Sequence, residues 1–424
     1  MIAWLLVGAM QAATPDSLPL ITLDDALRRG TQLDPGYVAA LGQVRDAAWQ
    51  RRAAIATFIL PAVTVQTSAT WFSSDAFNIG TGQLSSKIVT AQAVASYDVV
   101  RGGQKIFDLQ RRRAEFESAR ASELEARYRT ALLIEADFYD VLAEQELTRV
   151  GEERVRRADE QLGVARARVL TGAAVQTDSL QLLLELNRAR VDLLRERSRL
   201  RVARLQLGRR IGVAGPIGAV PLDPVPPPSL PVSEGDAIAE ALREGPAALA
   251  ARADQRAAEA GVRSAWGLYL PSLTLNGQVS AFDERFFPNA TTRSSLGITV
   301  ALPLWTNGQR ELTLSRARST RDVARAARAD AELALRRDVV EAYETYVTAR
   351  ASFDLASEQV AVARENLRVQ DERYRAGATT IIDLVTAQVS LTEAEAGLVQ
   401  ARYTTRLAFA GMEALLGRRL RPEG

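Results

Sequence analysis

Neither cysteine nor histidine occurs in the 424 residues. That excludes disulfides, thiol catalysis, imidazole bases and thiolate or imidazole metal sites together. No Gly-rich phosphate loop and no Gly-x-Ser-x-Gly elbow is present, and no two carboxylates are placed by sequence to converge in a pocket. An enzyme is therefore not the expected class, and no cofactor or metal is implied. Lys87 and Lys105 are the only lysines, so the 53 basic residues are almost all arginine; they are interleaved with 51 acids for a net charge of +2. Such mixing offers no basic patch to a nucleic acid. Apolar runs are short: the first, Ile2 to Met10 in MIAWLLVGAMQAATPDS, falls well below the ~20 residues a membrane-spanning helix needs. Followed by small residues and a polar stretch, it reads as a secretory signal over 1–13, with a buried N-terminal helix as the alternative.

What is abundant is charge, at 25%, together with Ala, Leu, Arg, Val and Glu, the profile of long helices with laced charged faces. Two such helical patterns are broken in the same way, at RVLTGAAVQTDSLQLL and YRAGATTIIDLVTAQ. Gly172 precedes Asp178 as Gly377 precedes Asp383, and the two breaks are 205 residues apart. A period near half the length means duplication of one unit. The expected organisation is repeat 1 over 14–214, a proline-rich connector over 215–231 lying extended on the surface, repeat 2 over 232–418 and a tail over 419–424.

Each repeat opens on an amphipathic helix, the first with Thr22 as a plausible N-cap and a break near Asp34-Pro35, matched by Gly245-Pro246 in the second. At Pro61 and Pro271 the period changes to two, predicting strands over about 61–72, 88–100, 271–282 and 293–304. Val63, Val65, Ala69 and Trp71 share a face with Thr67, against Thr64, Gln66, Ser68 and Thr70. The next run sets Val89, Ala91, Ala93, Ala95, Tyr97 and Val99 against Thr90, Gln92, Ser96 and Asp98. Leu273, Leu275, Val279 and Ala281 then oppose Ser272, Thr274, Asn276, Gln278 and Ser280, and Leu296, Ile298, Val300, Leu302 and Leu304 oppose Ser295, Gly297, Thr299 and Ala301. Polar loops at 73–86 and 283–292 join the pairs. A length of ~10 to 13 residues, aromatics near the ends and a small polar second face suit membrane strands around a water-filled lumen. Four strands cannot close a barrel, and open edges do not survive in lipid, so an oligomer has to supply the rest; three copies would give about twelve strands.

After each strand pair the helical pattern resumes over 105–170 and 310–375, long enough for rods of roughly 100 Å. Return helices follow over 178–211 and 383–416. Stripes such as Leu132, Ile134, Phe138, Val141 and Leu142, or Val339, Tyr343, Val347 and Phe353, provide faces for lateral packing. The fold class expected is a mixed α/β membrane protein with long helical hairpins, a transmembrane β-barrel built from four strands per chain, two tandem repeats and a homotrimeric state.

These parts, in this order and twice over, resemble the TolC-like outer-membrane factor family, the exit ducts of Gram-negative efflux pumps and type I secretion systems. The resemblance is carried by the Leu-Pro strand starts at Pro61 and Pro271, by GGQK at 102–105 and NGQR at 307–310, by both Gly-to-Asp tips, and most specifically by YRAGATTIIDLVTAQVSLTEAEAGLVQARYTTRLAFAGMEALLG. It implies a homotrimer with its barrel in outer-membrane lipid and a helical tunnel across the periplasm. The tunnel's tips would meet the periplasmic adaptor of an inner-membrane pump, and the duct itself performs no chemistry. Gly172, Asp178 and Gly377 then fall at the adaptor-docking tips. Tyr374 and Asp383 fall at the pore constriction, with Tyr374 bonding the neighbouring coil at Asp178. For both aspartates helix capping is the other reading. Thr379 and Thr386 stand where the best-known relative has an arginine and a second pore aspartate, which implies one acidic ring and a weaker latch. A soluble coiled-coil scaffold with a small sheet is the competing class.

Overall fold

The computed structural model describes residues 18–78, 82–222, 229–283 and 290–420; the segment read as a secretory signal, 1–13, lies outside them. In chain order the elements are β1 (Leu20–Ile21), α1 (Leu23–Leu33), α2 (Pro35–Ile59), β2 (Ala62–Asn78), β3 (Gln83–Arg101), α3 (Gln104–Leu170), α4 (Gln176–Arg210), β4 (Gly218–Ala219), α5 (Glu234–Glu244), α6 (Pro246–Trp266), a 3-10 turn (Gly267–Tyr269), β5 (Ser272–Asp283), β6 (Thr291–Ala301), α7 (Gln309–Arg375) and α8 (Ile381–Leu416). They form two compact units. One comprises residues 40–123 and 242–335, the other 18–39, 124–241 and 336–420.

The first unit holds a four-stranded antiparallel sheet in the order β2-β3-β5-β6. Its register answers the question that alternation alone left open, namely whether the four apolar faces coincide. Val63 pairs with Ala95, Ala93 with Val279, Tyr97 with Leu275, and Leu275 with Ile298. All four strands therefore turn their apolar residues to one side of the sheet and their Ser, Thr, Asn and Gln residues to the other. On the polar side the strands are tied by Ser96 Oγ donating to Asn276 at 2.8 Å and Thr274 Oγ1 donating to Asp98 at 3.0 Å. No helix among the described residues is long and apolar enough to cross a membrane.

The strands depart from the expected bounds in three places. The first pair does not open into a loop at 73: pairing skips between Trp71 and Ala76, then resumes through Asn78↔Gln83. A bulge absorbs the polar Ser73, Ser74 and Asp75 without ending the strand. Likewise Val99 is passed over between Asp98 and Val100, so Val100, not Val99, continues the apolar face opposite Leu273. The last strand stops at Ala301 rather than 304, short of Pro303, which has no N–H for a ladder.

Strand gives way to helix by the same device in both repeats. Gly102 and Gly103 have φ of 54° and 75°, Asn307 and Gly308 have 51° and 74°. Only the first repeat requires glycine at the leading position, because a Cβ on Gly102 would lie 2.0 Å from the Gly267 carbonyl oxygen. The basic residue that follows caps the strand end: Lys105 Nζ donates to the Asp98 carbonyl, and Arg310 Nη1 to the Pro303 carbonyl at 2.6 Å. Each cation also lies over an aromatic ring, Tyr97 at 4.3 Å and Tyr269 at 4.6 Å.

The second unit is built from helices. Thr22 caps α1 as expected, its hydroxyl accepting from the Asp25 N–H. The core gathers Ile134, Phe138, Val141 and Leu142 of α3 against Leu200, Ala203 and Leu207 of α4 and Tyr403 of α8. In the second stripe Val339 is buried, but Val347 is 45% exposed and Tyr346 takes the inward position. The connector also departs from its expected surface path at its start. Ile217, Gly218 and Ala219 are buried, and β4 pairs in parallel with β1. Gly218 permits that approach, since a Cβ there would meet the Leu20 side chain at 2.6 Å. The connector's remainder at 223–228 lies outside the described residues.

Ion pairs rung the α3–α4 hairpin: Asp137 with Arg210 at 2.5 Å, Glu152 with Arg197 at 2.8 Å, Arg154 with Glu185 at 2.7 Å, Asp159 with Arg190 at 3.7 Å. One rung brings like charges together. Glu144 shares a hydrogen bond with Glu196, and burial, then Glu196 and Asp140, push its carboxyl up to about 7. Because the folded pKa lies above that of the unfolded chain, the folded state holds an extra proton between them. The associated stability is complete below pH 4.5 and is lost as pH rises through 7. Glu144→Gln is therefore expected to leave stability unchanged at pH 4.5 and raise it by about 1–2 kcal/mol at pH 8, read from melting curves at the two pH values.

Candidate functional site

The two hairpin turns, with the helix ends that flank them, belong to the second unit and are constructed alike. Gly172 and Gly377 have φ of 74° and 75°, the left-handed conformation that lets a helix end sharply. Ala173 N donates to the Arg168 carbonyl at 2.9 Å, and Ala378 N to the Arg373 carbonyl at 2.8 Å. These bonds satisfy carbonyls that the last helical turn would leave without partners. Both turns close through a left-handed glycine and these backbone bonds, which explains why the glycines, 205 residues apart, were legible from sequence.

The returning helices begin differently. Thr380 caps α8 in a reciprocal box: its hydroxyl accepts from the Asp383 N–H, and Asp383 Oδ2 accepts from the Thr380 N–H at 3.1 Å. The same oxygen accepts from Thr380 Oγ1 at 2.6 Å and Thr379 Oγ1 at 2.9 Å. These bonds, those from Thr380 foremost, hold the carboxyl below the usual aspartate range. Asp383 is thus an exposed, firmly ionised cap. In the other hairpin the position corresponding to Thr380 is Val175, which caps α4 without any side-chain bond. Asp178 is left in the first turn, where its charge suits the helix N-terminus, and its Oδ2 receives the Tyr374 hydroxyl at 3.4 Å. Capping and cross-linking are therefore divided between the two aspartates: Asp383 closes its own turn, and Asp178 reaches Tyr374.

Tyr374 is buried in a small core with Ala158, Leu162 and Ala165 of α3, Leu182 and Leu186 of α4, and Ile381 and Leu384 of α8. Burial first, and Asp178 second, push its hydroxyl up, so it remains a proton donor. Alanines on α3 let the helices approach closely. Polar groups tie the helices beside this core and farther from the turns: Gln388 Nε2 donates to Gln161 Oε1, and Glu395 takes Arg157 at 3.3 Å and Arg364 at 3.8 Å. Buried Glu185 is held by Arg154, which also reaches Asp192 at 3.0 Å. Arg168 was missed by sequence reasoning. It lies over the Tyr374 ring at 4.9 Å and donates to that residue's carbonyl. Its only sequence signal was a basic residue in the last turn of a helix.

Comparison with known proteins bears on both units. A family model described as outer membrane efflux protein matches residues 237–418. The chain is similar to the outer membrane efflux protein BepC of Brucella suis biovar 1 (strain 1330), with 26% identity over 289 residues, 64% of this chain and 60% of that protein. It is similar also to the outer membrane protein TolC of Vibrio cholerae serotype O1, with 29% identity over 190 residues, 42% of each chain. The aligned region spans under two thirds of either relative's length. In fold it is similar to CusC, with a TM-score of 0.80, 16% identity, and coverage of 94% of this chain and 92% of that one.

Proposed function

Starting from a chain whose residues 237–418 match the outer membrane efflux protein family, we infer that three copies join their sheets into one barrel in outer-membrane lipid. The barrel would continue into a helical duct through the periplasm that serves as the passive exit of an efflux or type I secretion assembly. The observation that carries this reading is the sheet. Its four strands present one continuous apolar face and one polar face, while β2 and β6 each keep an edge unpaired among the described residues. A row of open N–H and C=O groups is untenable in hydrocarbon, and pairing β2 of one copy with β6 of the next removes both edges. The polar face then lines water and the apolar face meets lipid. Membrane fractionation tests the reading: a detergent-stable trimer from the outer membrane that conducts ions in a planar bilayer is expected. A chain soluble in buffer without detergent would instead favour the coiled-coil scaffold.

In this assembly the hairpin turns at Gly172 and Gly377 are the free ends offered to a periplasmic adaptor of an inner-membrane pump. Three exposed Asp383 carboxylates would form a single acidic ring where the hairpins converge. Such a ring binds cations that enter from the tip side. Asp383→Asn is expected to raise the concentration of a trivalent cation that half-blocks the channel by roughly tenfold. Thr380→Ala weakens the same cap but keeps the charge, and should leave block nearly unchanged. If both variants change block equally, the cap and not the ring is responsible.

A further inference from the structure

The arginine that the resemblance leads one to seek beside Tyr374 is absent, since Thr379 stands there and binds Asp383 instead. A guanidinium nevertheless reaches this turn, and it comes from the other hairpin. Arg168 and Arg373 occupy equivalent positions in the two repeats, one residue before Val169 and Tyr374. Arg373 is exposed, whereas Arg168 is half-buried and turned across to the second hairpin. It makes three contacts there and at home. Nη1 donates to the Tyr374 carbonyl, Nη2 donates to the Ala173 carbonyl of its own turn at 3.3 Å, and the guanidinium carbon lies over the Tyr374 ring at 4.9 Å. A Cβ on Gly377 would lie 3.9 Å from Nη2, so the arginine sits against the second turn itself.

One cation therefore joins the carboxyl-terminal ends of α3 and α7. Both ends carry the negative pole of a helix, and the Tyr374 carbonyl, which accepts from the Gly377 N–H at 3.0 Å, takes a second, charged donor from the cation shared between them. Asp178 completes the grip from the other side by receiving the Tyr374 hydroxyl. Hairpin 1 thus holds the second hairpin's tyrosine by backbone, ring and hydroxyl. We propose that Arg168 is the latch between the two hairpin tips of each chain, supplying from the first repeat the guanidinium missing at 379. The duct's closed state then depends on a contact inside each copy. The proposal rests on the reading of these turns as the gated end of a duct. Lysine cannot replace the latch, because it has neither the planar face for the ring nor a fork of donors for two carbonyls.

The absence of cysteine allows a direct test. Spin labels at Thr171→Cys and Ala376→Cys report the distance between the two turns in the full-length, detergent-solubilised protein, and the unlabelled variants report conductance in planar bilayers. Arg168→Ala and Arg168→Lys are expected to broaden the label distance distribution and raise conductance at least about threefold, with the melting temperature unchanged. Arg373→Ala should match the parent in both. A narrow, unaltered distance in Arg168→Ala would overturn the latch. If the parent protein does not conduct, the duct reading fails, while the label distances still decide whether Arg168 joins the hairpins. If it conducts and Asp383→Asn alters block but Arg168→Ala alters nothing, the latch alone is refuted.

Discussion

Arg419→Ala is expected to destabilise the helical unit by about 3 kcal/mol. Glu135 of α3 and Glu413 of α8 are each 1% exposed, and one guanidinium neutralises both, at 2.6 Å to each. Glu413 also accepts the Leu420 N–H at 2.8 Å, just past the left-handed Gly417 that ends α8. Removing the arginine leaves two carboxylates together in a buried site, where each disfavours the ionised form of the other. The cost arises from those stranded acids more than from the loss of a favourable pair. Adding Glu135→Gln and Glu413→Gln to Arg419→Ala should therefore recover most of the stability. Thermal melts of the detergent-solubilised protein across this mutant cycle check the claim. Additive losses would show that the three residues act independently.

That cluster marks where reading from sequence stopped. Periodicity placed the helices and strands because it records which side of an element is buried, and the left-handed glycines are required by local backbone geometry alone. Arg419 lay in what reads as a short tail, and its partners are 284 and 6 residues away. Nothing in local pattern signals a bond across such a distance. The same holds for Arg168, whose bond to Tyr374 spans 206 residues. Comparing the repeats position by position carries more: Val175 against Thr380 already implies that one aspartate has a cap partner and the other does not. The bulge between Trp71 and Ala76 was hidden for another reason. Ser73, Ser74 and Asp75 are turn-forming residues, and only pairing with a neighbouring strand determines whether they end a strand or bulge from it.

The register of the sheet makes the membrane assignment testable with two adjacent residues. Ile298 lies on the apolar face, paired with Leu275, and Thr299 lies on the opposite face, paired with Thr274. β6 is the sensitive place to test because its apolar face carries Leu296, Ile298 and Val300, whereas β3 presents mainly Ala91, Ala93 and Ala95. If that face meets hydrocarbon, Ile298→Arg should cost about 2–4 kcal/mol per chain, incurred three times in a trimer. The amount of detergent-stable trimer in the outer membrane should then fall by at least tenfold. Thr299→Arg adds the same charge one residue later, on a face that would line water, and should leave the trimer within about twofold of the parent. A soluble sheet packed on helices through its apolar face would also reject Ile298→Arg, but the product would then be misfolded protein in the soluble fraction. The discriminating variant is Ile298→Leu/Val300→Leu, which raises hydrophobicity without disturbing the pleat. It should be neutral for a lipid-facing surface, which has no fixed partner to match, and costly for a close-packed core, where altered side-chain shape forces neighbours out of place.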